Sequence, residues 1–301
     1  MTKGKRNKGY SYLYFLLWQL GIFFNYNKFI SKKKFDVIHH ITFGSFRFPS
    51  FLCLFKSKFI FGPLAGGETV PFRLLENFTL KSKLTEFIRN LSNNLIKYSF
   101  LINLTFFKSF KIILTSRESL KFLPKRFILK SLIIPAVSNK KVKFKIVNSL
   151  KFKSIYFAGR LVEFKGIYIL LEVFKKINLL NKNLKLNIYG DGPCKLDILK
   201  FINDNNLQKK IIMHGELNQK KLLKSIKKND LLIFPTLRDS GGYAILEALN
   251  NNIDVISTNA AGPSSIIESS SIKLVDIQNK SNEAIISSFV KTILNFYKKK
   301  H

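Results

Sequence analysis

Short apolar runs alternate with amphipathic segments through the C-terminal half of the sequence, and no other feature narrows the choice of folds as far. The runs are rich in β-branched and aromatic residues, which favour strands. The predicted strands are 154–158 (SIYFA), 184–189 (LKLNIY), 211–213 (IIM), 231–234 (LLIF), 254–257 (DVIS) and a short run at 272–275. The helices predicted between them lie at 167–177, up to 202, at 219–227 and at 243–249. Strands that alternate with helices form βαβ units, so we predict an α/β fold with a parallel sheet.

The N-terminal half has fewer strand patterns, although it also reads as α/β. The predicted strands there are 35–39 (FDVIH), 59–61 (FIF), 111–115 (KIILT) and 131–135 (SLIIP), with one long basic and apolar helix at about 83–102. We place the domain boundary in the polar segment 140–153. The prediction is therefore an incomplete N-terminal Rossmann-like domain at 1–145 and a C-terminal one at 146–301. The last helix, at 283–297, is expected to pack back on the first domain.

The chain carries an extreme positive charge. Its 51 Lys and Arg residues against 18 Asp and Glu give a formal net charge of +33. Such a charge fits a nucleic-acid or an anionic-membrane partner. Only eight of the basic residues are Arg, whereas nucleic-acid binding favours Arg for bidentate contacts to phosphate and guanine. We interpret the charge as the codon bias of an AT-rich genome, expect no nucleic-acid partner, and retain an anionic membrane surface as a partner.

The sequence gives no sign of a disulfide framework, a metal site or a membrane-spanning segment. Cys53 and Cys194 lie far apart without CxxC spacing, and no HExxH motif occurs, so we predict neither a disulfide framework nor a metal site. The apolar run at 12–24 is interrupted by Gln19, lacks a small-residue cleavage site and is too short to span a bilayer. We predict a partly buried or membrane-surface helix there, in a cytoplasmic protein that is peripheral on the inner face of the membrane.

Charged residues and glycines that could line a ligand site follow three of the predicted strands. They are Arg160 and Lys165 after 154–158, Gly190 and Gly192 (in GDGP) after 184–189, and Asp239 and Glu247 after 231–234. Open parallel sheets bind ligands at the carboxyl ends of their strands. The sequence therefore predicts two cations, a tight glycine turn and two carboxylates along one edge of the sheet.

The glycine pair between the two carboxylates points to the kind of ligand. Gly241 and Gly242 immediately precede the predicted helix, which begins at Tyr243. Glycines allow close backbone approach, and the first N–H groups of a helix carry a partial positive charge, so Gly241, Gly242 and Tyr243 form a candidate phosphate site. Glu247, one turn into the helix, can accept hydrogen bonds from a diol such as ribose. Asp239 would face the polyhydroxylated group attached to the far phosphate. A ligand with a ribose, a diphosphate and such a group is a nucleotide sugar.

In this order, the motifs resemble those of the retaining GT-B glycosyltransferases of family 4. The E-x7-E motif of that family appears as Asp239-x7-Glu247 in FPTLRDSGGYAILEALNNNIDVIS. The Arg and Lys that bind the donor diphosphate in the family match Arg160 and Lys165 in GRLVEFKG, and the G-x-G-P turn matches GDGP. The resemblance extends over residues 35–267.

The resemblance implies two Rossmann-like domains whose parallel sheets face each other across a cleft, with the C-terminal domain binding the donor. It implies a retaining, metal-independent transfer of a hexose from a nucleotide diphosphate sugar to an acceptor hydroxyl, without a cofactor. Glu247 would hold the donor ribose, and Asp239 would contact the sugar hydroxyls. The acceptor would be a saccharide or a lipid-linked saccharide of surface polysaccharide or glycolipid synthesis.

Two N-terminal motifs extend the resemblance. DVIHHITFGS matches a family strand that ends in a histidine near the transferred sugar, a catalytic position that His40, or else His39, would fill. GPLAGGE resembles a glycine-rich loop in a branch of the family, so that Gly66, Gly67 and Glu68 would contact the acceptor or the donor.

The chain also departs from the family pattern. The first acid is Asp239 rather than Glu, three Asn residues at 250–252 replace a small residue and Gly, and only about 35 residues precede the strand FDVIH. We therefore expect a shortened N-terminal domain. Three alternatives remain: a catalytically defective remnant that binds nucleotide, a basic membrane or nucleic-acid adaptor, and a GT-B epimerase. Nucleotide binding without hydrolysis or transfer of a donor sugar would indicate the remnant. A salt-sensitive DNA shift without nucleotide-sugar binding would indicate the adaptor. NMR of the products formed from the donor alone would identify the epimerase.

Overall fold

The computed structural model describes residues 8–33, 35–134, 152, 154–227, 229–265 and 272–298. The chain forms two compact units. The N-terminal unit comprises Met1–Gly67 and Asn90–Ile134, and the C-terminal unit comprises Glu68–Arg89 and Pro135–His301. The predicted domain boundary, in the segment 140–153, lies almost wholly outside the described residues. The contacts additionally group the segment Glu68–Arg89 with the C-terminal half.

Helices and strands alternate through the C-terminal unit, and the N-terminal unit contains both without strict alternation. The helices are α1 Lys8–Lys33, α2 Leu80–Leu95, α3 Phe100–Lys108, α4 Ile167–Leu180, α5 Lys195–Asp204, α6 Gln219–Ser225, α7 Tyr243–Asn250, α8 Ala261–Ser265 and α9 Asn282–Lys298. The strands are β1 Val37–His40, β2 Lys58–Leu64, β3 Ser109–Leu114, β4 Ser131–Ile133, β5 Ser154–Ala158, β6 Leu186–Tyr189, β7 Ile211–Gly215, β8 Asp230–Phe234, β9 Asp254–Thr258 and β10 Ile272–Val275. Among the described helices, none has the length and apolar character needed to cross a membrane.

Each unit contains one sheet whose strands are all parallel. The N-terminal sheet has the order β1-β2-β3-β4, and the C-terminal sheet has the order β10-β9-β8-β5-β6-β7. The α/β class and the parallel sheets predicted from the sequence are confirmed. In the C-terminal sheet the chain leaves β5 toward β6 and β7, then returns to β8 on the other side of β5. This reversal creates a crevice outside the carboxyl ends of β5 and β8, where doubly wound sheets bind ligands.

The central strands of the C-terminal sheet, β5 and β8, are largely apolar and buried, as is typical of parallel strands that are covered on both faces. All five residues of β8 are buried, as are four of the five in β5. On one face α9 packs against α4 and contributes Ile285, Phe289 and Ile293 to the core. Full burial of each such side chain contributes about 1.5–3 kcal/mol to folding, so this core holds the loops at the strand ends on a rigid base.

The long helix predicted at 83–102 is two helices. The first, α2, ends at Leu95, and α3 begins after Ser99, whose backbone is extended at φ −74° and ψ 114°. The side-chain amide of Asn103 donates to the carbonyl oxygens of Lys97 (3.0 Å) and Ser99 (2.8 Å). Because a side chain binds these carbonyls, the chain can change direction here without leaving them unsatisfied.

Candidate active site

Two loops that carry predicted site residues run side by side at the carboxyl ends of β5 and β8. The β5–α4 connection ends in a 3₁₀ turn, Glu163–Lys165, followed by Gly166 at φ 74°. A Cβ atom on Gly166 would lie 1.9 Å from the carbonyl oxygen of Pro235 in the β8–α7 loop. Because glycine alone tolerates both this approach and this φ without strain, it allows Lys165 to lie against the residues that follow β8.

Lys165 and Asp239 form an ion pair whose side chains are 18% and 10% exposed. The Nζ atom of Lys165 donates to Oδ2 of Asp239 and lies 5.0 Å from the centre of the Phe234 ring. Charge-assisted hydrogen bonds of this kind are about twice as strong as neutral ones. The cation expected to bind a phosphate is therefore held in place by the first acid of the D-x7-E motif.

The other oxygen of Asp239 caps the glycine pair. Its Oδ1 atom accepts the backbone N–H groups of Gly241 at 2.9 Å and Gly242 at 3.0 Å. These glycines, which the sequence analysis assigned to a phosphate, therefore bind Asp239 in this structure. The N–H groups of Tyr243 and Ala244 follow in the first turn of α7, before the intrahelical hydrogen bonds begin, and they carry the positive end of the helix dipole.

These contacts keep the Asp239 carboxylate ionised. Burial alone would raise its pKa, but Lys165 and the N–H groups of Gly241 and Gly242 outweigh burial and hold the pKa below its usual value. An ionised carboxylate accepts hydrogen bonds and donates none. Asp239 can therefore accept hydrogen bonds from hydroxyl groups at neutral pH.

Replacing Asp239 with Asn should lower the free energy of unfolding at pH 7 but not in acid. Because the native pKa is depressed, the stabilisation is present above the unfolded pKa of about 3.9 and is lost as the pH falls through the native pKa. We expect a loss of about 1.5–3 kcal/mol at pH 7, measured by urea denaturation, since charged hydrogen bonds disappear. Asp204→Asn, at the exposed end of α5, is the control. An equal loss for Asp239→Asn at pH 7 and at the acid limit would contradict the ionised pair.

Glu247 is oriented by a residue that the sequence analysis did not identify. Its Oε1 atom accepts a hydrogen bond of 2.6 Å from Nε2 of Gln219, the first residue of α6. The two residues are 28 positions apart. A local pattern could identify Gln219 as the start of a helix, but not as the partner of this carboxylate.

Five of the predicted residues line one pocket of about 320 Å³. They are Arg160, Lys165, Asp239, Tyr243 and Glu247. The pocket opens at the switch point between β5 and β8, and the exposed Arg160 stands at its edge. Two cations, the beginning of α7 and two carboxylates therefore share this pocket.

A second pocket, of about 430 Å³, adjoins the first and shares Arg160 with it. Its lining adds Gly190, Asp191 and Glu216, from the loops after β6 and β7. Gly190 has φ 132°, and a Cβ atom there would lie 1.9 Å from the carbonyl oxygen of Gly159. A Cβ atom on Gly192 would lie 2.4 Å from the carbonyl oxygen of Leu161. The glycines of GDGP therefore allow the β6–α5 turn to pack against the loop that carries Arg160.

His40 lies in the hydrophobic core of the N-terminal unit. It is 4% exposed, its Nδ1 atom lies 2.8 Å from Oγ of Ser50, and its ring meets Phe61 edge-on. Burial lowers its pKa, so the imidazole is neutral at pH 7. His39 is the exposed member of the pair, and its Nε2 atom donates to the carbonyl oxygen of Gly62 at 2.7 Å.

The GPLAGGE loop is packed rather than open. The carbonyl oxygen of Gly66 accepts hydrogen bonds from the guanidinium of Arg47 and from the side-chain amide of Asn93. A Cβ atom on Gly67 would lie 2.4 Å from the Cα atom of Ser119. Glu68 is buried. These contacts explain the glycines by packing, and the predicted contact of Gly66, Gly67 and Glu68 with a ligand stays a prediction.

The residue next to Asp239, Arg238, forms a buried ion pair with Glu86 that the sequence does not predict. Arg238 donates to Oε1 of Glu86 from NH2 at 2.8 Å and from Nε at 3.0 Å, and its guanidinium lies 3.8 Å from the centre of the Phe164 ring. The backbone N–H of Thr79 donates to Oε1 of Glu163 at 2.7 Å. Both loops of the first pocket are therefore fixed to the segment Glu68–Arg89.

This chain is similar to known glycosyltransferases. Residues 138–296 match the family model described as glycosyl transferases group 1. An uncharacterised glycosyltransferase of Methanocaldococcus jannaschii is 31% identical over 229 residues, which cover 67% of this chain and 55% of that protein. The chain thus spans about half the length of that relative.

Two solved GT-B glycosyltransferase structures share the fold. The lipopolysaccharide outer core galactosyltransferase WaaB matches with a TM-score of 0.58 at 12% identity, covering 95% of this chain and 81% of that one. A TarM mutant of S. aureus, in complex with UDP among other ligands, matches with a TM-score of 0.52 at 20% identity, covering 75% and 44%. At these identities the two structures indicate the GT-B fold and nothing about the substrate.

Proposed function

We propose that this chain, which belongs to the glycosyl transferases group 1 family, transfers a hexose from a nucleotide diphosphate sugar to an acceptor hydroxyl with retention. The observation that carries the proposal is the pocket at the switch point of the C-terminal sheet. Arg160, Lys165 and the beginning of α7 supply positive charge there, and Asp239 and Glu247 supply acceptors for hydroxyl groups. The acceptor we propose is a saccharide or lipid-linked saccharide of surface polysaccharide or glycolipid synthesis.

The donor is proposed to lie across both pockets. Its diphosphate would bind Arg160, Lys165 and the first N–H groups of α7, as anions do at helix N-termini. Its ribose would donate to Glu247, which Gln219 holds in place. The base would then occupy the adjoining pocket beside Glu216, because that pocket shares Arg160 with the first.

The chemical step needs positive charge where the leaving group forms. As the bond between the anomeric carbon and the phosphate oxygen breaks, its electron pair passes to the diphosphate, which Arg160, Lys165 and the α7 dipole stabilise. The departing phosphate can take the proton of the acceptor hydroxyl on the same face of the sugar, which gives retention. With two cations and a helix terminus available, we propose a reaction without a metal ion or other cofactor.

Asp239 would exchange partners when the donor binds. A diphosphate competes with Asp239 for Lys165, and the released Oδ2 oxygen can then accept a hydrogen bond from the transferred sugar. Oδ1 would stay on the N–H groups of Gly241 and Gly242 and keep the carboxylate in position. This arrangement uses the shorter Asp side chain as both loop cap and sugar contact.

Calorimetry and turnover together test the proposal. The full chain should bind UDP or GDP, and it should hydrolyse or transfer a matching nucleotide sugar in a coupled assay. Binding without any turnover would favour the nucleotide-binding remnant, and product NMR that shows isomerised donor would favour the epimerase. Failure to bind any nucleoside diphosphate, combined with a salt-sensitive DNA shift, would overturn the proposal in favour of the adaptor.

A further inference from the structure

Helix α2 turns its apolar side to the solvent. Six residues at the spacing of one helix face are each 48–84% exposed: Leu80, Leu84, Phe87, Ile88, Leu91 and Leu95. An amphipathic surface helix normally directs such a stripe to the core. This set is named the α2 apolar face.

A buried ion pair fixes this orientation. Glu86, on the buried side of α2, binds Arg238. Rotating the helix to bury its leucines would expose this ion pair and place the carboxylate outward. Because buried polar groups that lose their partners are strongly unfavourable, the apolar face is a built feature of the fold.

The exposed charged side chains on α2 and directly after it are basic. Lys81 and Lys83 are on α2 itself and Lys97 follows it, whereas Glu86, the one acidic residue of α2, is buried. Tyr98 adds an amphipathic aromatic ring that is 83% exposed. Exposed leucine and phenylalanine flanked by lysine and tyrosine are typical of helices that lie at a membrane interface.

We propose that the α2 apolar face is a docking surface for an anionic lipid bilayer, with α2 lying in the plane of the interface. Lysine beside an apolar face gains from anionic headgroups, while the apolar side chains gain from leaving water. A second copy is a poorer occupant, because it would bring like charges together in a chain of net charge +33. The inference goes beyond sugar transfer and needs no bound donor.

Vesicle co-sedimentation of the full chain, without nucleotide, tests this inference. Vesicles of phosphatidylcholine containing about 30% phosphatidylglycerol should sediment the wild type, and added salt should reduce binding. The triple variant Leu84→Ser, Phe87→Ser and Leu91→Ser should bind at least about tenfold more weakly. Its control is Leu179→Ser, Leu180→Ser and Leu196→Ser, three exposed leucines elsewhere, which should bind like the wild type.

Other measurements distinguish the remaining outcomes. Lys81→Gln, Lys83→Gln and Lys97→Gln together should weaken binding to anionic vesicles, and circular dichroism should show that every variant is folded. Full binding by the folded α2 variant would place the contact on another surface, such as α1, and overturn the inference. A wild-type dimer that the α2 variant dissociates, with no vesicle binding by either, would instead identify a second copy. Loss of nucleotide binding alone would count against the proposed function and not against this surface.

Discussion

Replacing Lys165 with Ala is expected to lower the rate of sugar transfer by roughly 10²–10³-fold, the range for removing one group that stabilises the developing charge. Lys165 is mostly buried at the switch point and lies in the same pocket as Arg160 and Glu247. Lys165 should also contribute to the affinity for the nucleoside diphosphate before any reaction occurs. Binding of the nucleoside diphosphate should weaken by about 1.5–3 kcal/mol, the range for hydrogen bonds to charged groups.

The Lys165 substitution also removes the partner of Asp239, so its effect on stability must be separated from its effect on catalysis. Urea denaturation of Lys165→Ala measures the loss of stability, and the double variant Lys165→Ala and Asp239→Asn shows how much of that loss comes from the unpaired carboxylate. Lys176→Ala is the matched control, because Lys176 pairs with Glu283 on an exposed surface away from the pocket. Unchanged diphosphate affinity in Lys165→Ala, measured by calorimetry on folded protein, would refute the assigned site.

The C-terminal sheet is predictable from the sequence because its central strands, β5 and β8, are buried apolar runs. The run LLIF is apolar at every position, and β8 has no exposed residue. Side chains that follow neighbouring parallel strands lie at one edge of the sheet, so Arg160, Lys165, Asp239 and Glu247 can be assigned to a common edge from the sequence alone. This assignment depends on the order and direction of the strands and not on the detailed packing of side chains.

Contacts between distant positions could not be predicted in the same way. Strand alternation shows that His39 and His40 face opposite sides, but it does not show which one enters the core. The pairing of Arg238 with Glu86 joins residues 152 positions apart and leaves no periodic signal. For α2, periodicity identifies an apolar face but not its direction, which is set by these buried polar partners.

The buried pair of Arg238 and Glu86 should contribute strongly to stability. Glu86→Ala should lower the free energy of unfolding by about 3–5 kcal/mol, because it leaves the Arg238 guanidinium buried without its carboxylate. Burial and nearby Arg89 lower the pKa of Arg238, and Glu86 counteracts both. Denaturation in urea at pH 7 measures the loss. The control Glu283→Ala removes a carboxylate that is 84% exposed and should change the unfolding free energy by less than about 0.5 kcal/mol.

A double variant separates folding from positioning. Glu86→Leu with Arg238→Met replaces the pair by apolar side chains, which commonly restores stability or exceeds it. Arg238 immediately precedes Asp239, so losing its attachment to Glu86 and Phe164 should loosen the loop that holds the Lys165–Asp239 pair. We therefore expect the double variant to unfold at urea concentrations near those of the wild type while its kcat stays at least about tenfold lower, since small misplacements of a site cost that much or more. Recovery of both stability and kcat would mean that the pair serves folding alone, whereas recovery of stability without kcat would identify Arg238 as a positioning residue.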